Sequence, residues 1–279
     1  MELGRPVIGG EQALEACAAA TARAPRAAAL FCDIDGTISP IVAHPADAVV
    51  PERFKDVLRA LIGRLGLVAF VTGRAVEDGR RMVGLDGAAY IGTHGLETVD
   101  ADGVARTDPL AERYVDDVQR LATTAAAELA ASVSGVVIEN KRTVLAVHYR
   151  LAPDADAARH EIVTRVVEPA RAQGLAISTG HFLYEVRPPV PVTKGAATRR
   201  LLDQDDYVTA VFCGDDLTDV TGFAAVHDWA TRDARRTACA VGAVTRETPR
   251  PVTDEADVMV SGTTGVYAVL RRLLTAAGG

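Results

Sequence analysis

Basic charge is scarce in this chain. Lys and Arg number 30 against 37 Asp and Glu, a formal net charge of −7. A general nucleic-acid binder needs a basic excess to neutralise phosphates, so the balance argues against that class. A small phosphorylated substrate needs only a local cationic pocket and stays open. Cysteine is also scarce, and Cys17, Cys32, Cys213 and Cys239 lie far apart with no C-x-x-C spacing. Neither a zinc site nor a disulfide framework is indicated, and buried thiols of a reducing cytoplasm are expected. No apolar run is long enough to span a membrane. Glu2, Arg5 and Glu11 stand where a signal peptide would have a basic start and an apolar core. The expected location is cytoplasmic.

What is present is an ordinary globular composition, 48% hydrophobic and 24% charged, over 279 residues. That length suits one large domain or a domain with an insertion. The chain is organised around Phe31–Ser39, read FCDIDGTIS. Ala27 to Cys32 is an apolar run expected as a buried strand of a parallel sheet. Asp33 and Asp35 follow it, two apart and therefore on one face of an extended chain. Paired carboxylates repel unless a cation sits between them. Gly36 permits a tight turn, and Thr37 adds a hydroxyl and an N–H where an oxyanion could sit. The carboxylates could instead cap a turn or helix. The strand before them and Gly-Thr after them favour a reactive site.

Elements follow in order. Glu11–Arg23 reads as an outer N-terminal helix. The loop Pro40–Val50 carries His44, Pro45 and Asp47. Pro51 opens a helix whose apolar face runs from Phe54 to Leu65. Leu67–Val71 is a second buried strand, running into Thr72-Gly73-Arg74 and a helix over Val76–Val83. Strand-helix-strand order implies a right-handed parallel crossover. Ligands bind at the carboxyl ends of such strands, which puts Thr72 on the rim of Asp33. Thr72 could cap a helix, hold a phosphate there, or do both. Ala88–Ile91 is a third strand, ending in Gly92-Thr93-His94-Gly95. His94 is either a structural histidine or a substrate contact.

Beyond Gly103 the texture changes. A helix over Pro109–Ala131 precedes a hairpin, Gly135–Glu139 with Thr143–Tyr149. A helix over Asp154–Ala172 precedes a second hairpin, Leu175–Thr179 with Phe182–Val186, turning at Gly180-His181. Helix and hairpin thus recur as a weak repeat, an α+β unit between two pieces of parallel α/β chain. The expected organisation is a core over 1–102, a cap domain over 103–187 and the rest of the core over 188–279. Lys194 opens the helix Ala196–Leu202, where the dipole disfavours a cation unless an anion is near. Val208–Cys213 is another buried strand, ending in Gly214-Asp215-Asp216-Leu217-Thr218-Asp219. A second acidic strand end favours a hard cation such as Mg²⁺. Ala238–Val241 and Val258–Ser261 are expected as edge strands, Thr263–Ala276 as a closing helix, and Gly278–Gly279 as a frayed end.

Asp33/Asp35, Thr72, Lys194 and Asp215/Asp216/Asp219 together match the pattern of the haloacid dehalogenase-like phosphatases. The chain resembles that superfamily over its whole length. The resemblance implies a Rossmann-like α/β hydrolase core with an inserted α+β cap of the C2 type. Glu139-x-Lys141, His148-Tyr149-Arg150, Glu185-Val186-Arg187-Pro188 and Gly92–Glu97 are similar to one branch, the trehalose-6-phosphate phosphatases.

By that resemblance Asp33 is the nucleophile and Asp35 the general acid/base of an aspartyl-phosphate mechanism. Mg²⁺ is held by Asp33, the Asp35 carbonyl and Asp215, with Asp216 and Asp219 in its outer shell. Thr72 and Lys194 hold phosphoryl oxygens, and Gly36, Thr37, Gly73 and Arg74 also lie against the substrate. Glu139, Asn140, Lys141, Glu185 and His94 contact the sugar hydroxyls. The implied partner is a small phosphorylated disaccharide; the sequence does not set the oligomeric state, and a monomer is the expectation. Val220, Thr221 and Thr193 stand where the branch carries acidic residues. Other sugar phosphates (sucrose 6-phosphate, a hexose phosphate, a validoxylamine-type phosphate) and a silent binding domain are the alternatives.

Overall fold

The computed structural model describes residues 7–42, 47–180 and 182–278. His44, Pro45, His181 and Gly279 lie outside the described residues. In chain order the strands are β1 (Val7–Gly9), β2 (Ala28–Asp33), β3 (Leu67–Val71), β4 (Ala89–Gly92), β5 (Glu97–Val99), β6 (Ala105–Thr107), β7 (Val137–Asn140), β8 (Leu145–His148), β9 (Ala176–Gly180), β10 (Leu183–Arg187), β11 (Thr209–Gly214), β12 (Thr237–Val244) and β13 (Val258–Ser261). The helices are α1 (Glu11–Arg23), α2 (Glu52–Ile62), α3 (Val76–Val83), α4 (Pro109–Glu112), α5 (Val115–Ser132), α6 (Ala155–Ile162), α7 (Glu168–Ala172), α8 (Lys194–Leu202), α9 (Val220–Thr231), α10 (Arg250–Glu255) and α11 (Gly262–Ala276). The chain divides into two compact units, residues 1–106 with 192–279, and residues 107–191. No helix among the described residues is long and apolar enough to cross a membrane.

The first unit is built on a nine-stranded sheet of order β1-β13-β12-β11-β2-β3-β4-β5-β6. Its middle, β13 to β4, is parallel, and β1 and β5 pair antiparallel at the flanks. Every residue of β2 and of β11 is buried, as apolar runs between two helix layers require. Side chains alternate between the layers. Leu30 and Cys32 of β2 face a core with α1, α2, α3 and α11. Ala29 and Phe31 face a core with α8, α9 and α10. Asp33 continues the Phe31 side, which carries it toward the start of α8. The strands after β11 correct one expectation. Neither is an edge: β12 lies between β11 and β13, and β13 is covered by β1. The short N-terminal strand takes the edge that the end of the chain would otherwise leave. The four thiols are free and buried, with Cys32 and Cys213 in register on β2 and β11.

An ion pair fastens the far end of this sheet. Asp257 accepts the Ala240 N–H of β12 at 2.8 Å and pairs with His227 Nε2 of α9 at 2.7 Å. The hydrogen bond to Asp257 raises the His227 imidazole above its ordinary value. A raised imidazole adds stability in full below the unfolded value and loses it as pH climbs through the folded one. His227→Gln is therefore expected to lower the melting temperature more at about pH 5.5 than at about pH 8.5. Equal deficits at both, read by calorimetry, would remove the pair from the stability account.

The second unit is a four-stranded antiparallel sheet of order β7-β8-β10-β9. Leu145, Val147, Tyr184 and Val186 face α5, α6 and α7 and make its core. Both long helices expected here are interrupted. Pro109–Ala131 is two helices, α4 capped by the Asp108 carboxylate and α5 starting after Tyr114. The Asp154–Ala172 span is α6 and α7 joined by a π turn over Val163–Val167. Pro169 has no N–H to return to the Arg165 carbonyl, so the ladder widens just before it.

Candidate active site

The end of β2 turns at once. Gly36 has φ 83°, a left-handed value that glycine adopts without strain. Its N–H donates to the Ser39 carbonyl at 2.7 Å, closing a loop of Ile34 to Ser39. The Asp215 carboxylate packs where a Gly36 side chain would stand, its Oδ2 2.0 Å from that Cβ position. Thr37 Oγ1 lies 3.0 Å from Asp215 Oδ1 and 3.4 Å from Asp33 Oδ2. The loop after β2 and the loop after β11 are thereby tied together.

Lys194 is the cation of the cluster. It is the first residue of α8 and only 3% exposed. Its Nζ donates to Asp33 Oδ1 and to Asp219 Oδ1, each at 2.7 Å. Burial works against its charge, but the two carboxylates prevail and raise the ammonium above its ordinary value. The unfavourable position at a helix start is thus offset by two anions. Asp219 is fully buried, and its Oδ2 accepts the N–H groups of Asp215 and Asp216 at 3.1 Å each. Both its oxygens are therefore engaged. Asp216 returns the favour as an exposed capping group, its side chain accepting the Asp219 N–H.

Carboxylate oxygens of Asp33, Asp215 and Asp219 lie within 4.8 Å of one another. Burial, then Lys194 against Asp219 and Asp215, sets the Asp33 carboxyl, with a net upward push. Burial and Asp219 push Asp215 up to about 7. With one ammonium for three carboxylates the cluster is short of positive charge, and it offers hard oxygen donors, which fits a divalent cation. Asp33, Asp215 and Asp219 are the residues that could hold it, Asp219 with both oxygens already engaged by Lys194 and backbone and Asp33 with one engaged by Lys194. Asp35 and Asp216 stand outside the cluster's geometry as side chains. Asp35 is gripped instead by Arg74, Nε to Oδ2 at 2.6 Å and Nη2 to Oδ1 at 2.7 Å. Two neighbouring carboxylates are thus given separate cations.

The turn after β3 completes this rim. Thr72 Oγ1 accepts the Arg74 N–H at 3.1 Å, and the Thr72 N–H donates to the Ile91 carbonyl at 2.8 Å. The His94 ring packs on Gly73, its Cε1 2.5 Å from where a Cβ would lie. Asp33, Asp35, Gly36, Thr37, Thr72, Gly73, Arg74, His94, Lys194, Asp215, Asp216 and Asp219 all belong to the first unit.

The remaining expected residues belong to the second. Glu139, Ala146, Glu185 and Ser178 stand in one cross-strand row. The row lies on the sheet face away from the helices. Lys141 Nζ is 3.1 Å from Glu185 Oε1 and 3.8 Å from Glu139 Oε2. Asn140 falls on the opposite face, where its amide exchanges hydrogen bonds with Gln119 at 2.8 and 3.0 Å. Two further residues reach this row without being among the expected sugar contacts: His148, which the sequence offers only as part of a motif, and Ser178. His148 Nε2 meets Glu139 Oε2 at 3.3 Å, and Ser178 Oγ meets Glu185 Oε2 at 3.5 Å. Strand alternation was the signal, since His148 is two residues from Ala146. Thr193 and Thr221, which depart from the branch pattern, have structural roles. Thr193 caps α8 through the Ala196 N–H, and Thr221 Oγ1 accepts the Gly195 N–H at 3.0 Å.

The chain is similar to known proteins. A trehalose-phosphate phosphatase of Mycobacterium marinum is 34% identical over 206 residues, 71% of this chain and 51% of that protein. The chain spans between 15% and 55% of the length of the curated relatives it matches. A crystal structure described as a trehalose-6-phosphate phosphatase related protein superposes with a TM-score of 0.72 at 23% identity, covering 88% of this chain and 97% of that one. A haloacid dehalogenase-like hydrolase from Bacteroides thetaiotaomicron has the same fold, with a TM-score of 0.57 at 13% identity over 88% of this chain and 98% of its own. The family model described as trehalose-phosphatase matches residues 31–256, from inside β2 to beyond the acidic loop. The chain therefore belongs to the trehalose-phosphatase family, a family of phosphoric monoester hydrolases.

Proposed function

We infer that this protein is a Mg²⁺-dependent phosphatase that hydrolyses trehalose 6-phosphate through a phosphorylated Asp33. The observation that carries the reading is the setting of Asp33: buried at a strand end, fixed through Oδ1 by Lys194, and beside Asp215. Asp33 and Asp215 would hold the metal, with the Asp35 carbonyl as third protein ligand. Bound Mg²⁺ lessens the repulsion between an anionic nucleophile and an anionic ester. Asp33 forms its bond to phosphorus as the ester P–O bond breaks. Asp35 gives a proton to the departing sugar oxygen, then takes one from the water that hydrolyses the aspartyl-phosphate. An ammonium has three donors. Lys194 uses two on carboxylates, and the third serves a phosphoryl oxygen, with the Thr72 hydroxyl beside it.

Residues 107–191 form the cap, and Glu139, Lys141 and Glu185 read the sugar hydroxyls. Carboxylates accept from hydroxyls and the ammonium donates to them. A hydrogen bond to a charged group is worth about 1.5–3 kcal/mol, or roughly 10- to 100-fold in rate on the substrate that makes it. The test is phosphate release, with Mg²⁺ and with chelator, from trehalose 6-phosphate, sucrose 6-phosphate, glucose 6-phosphate, a validoxylamine-type phosphate and 4-nitrophenyl phosphate. The expected result is a Mg²⁺-dependent preference for trehalose 6-phosphate. Glu139→Ala and Glu185→Ala should each weaken it by about 10-fold or more and the aryl ester far less. Equal loss on both would detach these residues from the sugar. Hydrolysis of the aryl ester alone would keep the chemistry and discard the disaccharide.

A further inference from the structure

Arg74 grips both oxygens of Asp35, at 2.6 and 2.7 Å. A planar guanidinium bonded through two parallel N–H groups fixes the plane of the carboxyl as well as its distance. Arg74 is itself held. Its N–H donates to Thr72 Oγ1 at 3.1 Å, and its carbonyl accepts the Thr93 N–H at 2.7 Å. The next N–H, of His94, donates to the Thr72 carbonyl at 3.1 Å. To reach both carbonyls the chain passes through φ 46° at Thr93 and 57° at His94. Left-handed backbone at two successive residues with side chains is costly, and it persists only where the surroundings enforce it. Gly73 gives the other half of the fit, since any side chain there would strike the His94 ring.

We propose that Arg74 is the positioning residue for Asp35, aiming its carboxyl at the leaving-group oxygen, and that the strained Thr93–His94 turn holds Arg74 in place for that purpose. The proposal rests on the phosphatase reading given above. In the step concerned, the ester P–O electron pair passes to the leaving oxygen, a phosphorus–Oδ bond forms on Asp33, and the Asp35 proton moves to the leaving oxygen. A sugar alkoxide is a poor leaving group and depends on that proton. A nitrophenolate leaves without it. The competing role for Arg74 is a grip on the phosphoryl group, which the two esters share.

These roles separate in the kinetics of the Mg²⁺-loaded enzyme. General-acid contributions run to about 100-fold or more. Arg74→Ala is expected to lower kcat on the preferred sugar phosphate by about 100-fold and to lower it at least about 10-fold less on 4-nitrophenyl phosphate. KM should move little on either. Arg74→Lys, with one point donor in place of a fork, should fall between, and added guanidinium should restore part of the Arg74→Ala rate on the sugar ester only. An equal fall on both esters, or a fall carried by KM, overturns the proposal and gives Arg74 to the phosphoryl group. A second readout does not depend on turnover. Crystal structures of the parent and Arg74→Ala should show Asp35 in one orientation in the parent and displaced in the variant. An unmoved Asp35 overturns the proposal as well. A parent inert toward every ester would instead sink the phosphatase reading, and the orientation of Asp35 would still be decided.

Discussion

Asp33→Asn is expected to lose ester hydrolysis by about 10⁴-fold or more while the folded protein becomes more resistant to heat in the presence of chelator. The loss follows from removing the only atom proposed to bond phosphorus, since an amide is not a nucleophile here. The gain follows from the electrostatics of the cluster. Burial above all pushes the Asp33 carboxyl upward, and Asp219 and Asp215 add to the push. A carboxyl raised in the folded state is one whose charge the fold disfavours at neutral pH. Its ionised form subtracts stability as pH rises above the unfolded value, and a neutral isostere escapes that cost. The asparagine carbonyl can still accept from Lys194, which keeps Asp219 as its anion. Saturating Mg²⁺ should narrow the gap, because the parent then gains binding energy that the variant forgoes. The checks are phosphate release and calorimetry with and without Mg²⁺. Hydrolysis of 4-nitrophenyl phosphate at the parent's rate would show that Asp33 is not the nucleophile.

The sheet was readable because burial on both faces leaves unbroken apolar runs. Leu67–Val71 needed no correction at either end. The same logic could not rank strands across the sheet, and so β12 and β13 were expected at an edge that β1 takes. Val7–Gly9 is too short to announce itself. The helix α9 went unread although Phe223, Val226 and Trp229 recur at helical spacing and are fully buried. The acidic motif Asp215–Asp219 runs directly into the helix at Val220, so no turn residue marks where the element begins. In the site, the types of residue were legible and their partners were not. Asp33 and Asp35 were expected to share a cation because they share a face of the extended chain. The turn at Gly36 ends that extension, and each finds its own cation, Lys194 or Arg74. Asp219 read as an outer ligand of the metal. Its carboxylate stands in the acidic cluster with Asp33 and Asp215, and the four-residue spacing from Asp215 also lets it collect two backbone N–H groups and an ammonium. Asn140 sits one residue from Glu139, and strand alternation sends it to the other side of its sheet.

Lys194→Met should move stability the opposite way from Asp33→Asn while also costing activity. The ammonium is 3% exposed and lies between two carboxylates at 2.7 Å each. Methionine matches its length and leaves Asp33, Asp219 and the nearby Asp215 without a cation. Removing one side of a buried ion pair costs about 3–5 kcal/mol, because the partner's charge stays behind unpaired. In a domain of this size that is a fall of roughly 10 °C in melting temperature. The deficit should be larger at about pH 8 than at about pH 5.5, since protonating the stranded carboxylates relieves their repulsion. Mg²⁺ should restore part of it by supplying the missing charge to Asp33 and Asp215. Turnover should not recover with it. The third donor of the ammonium is assigned to a phosphoryl oxygen, and losing one such donor costs about 10²- to 10³-fold. Calorimetry across pH and phosphate release at saturating Mg²⁺ test the two halves separately. A variant as stable as the parent would mean that the carboxylates are neutral in the folded protein, and the same finding would withdraw the stability gain expected of Asp33→Asn. A variant that is destabilised yet fully active would confine Lys194 to holding the loops after β2 and β11, and would leave the phosphoryl group to Thr72 and the metal.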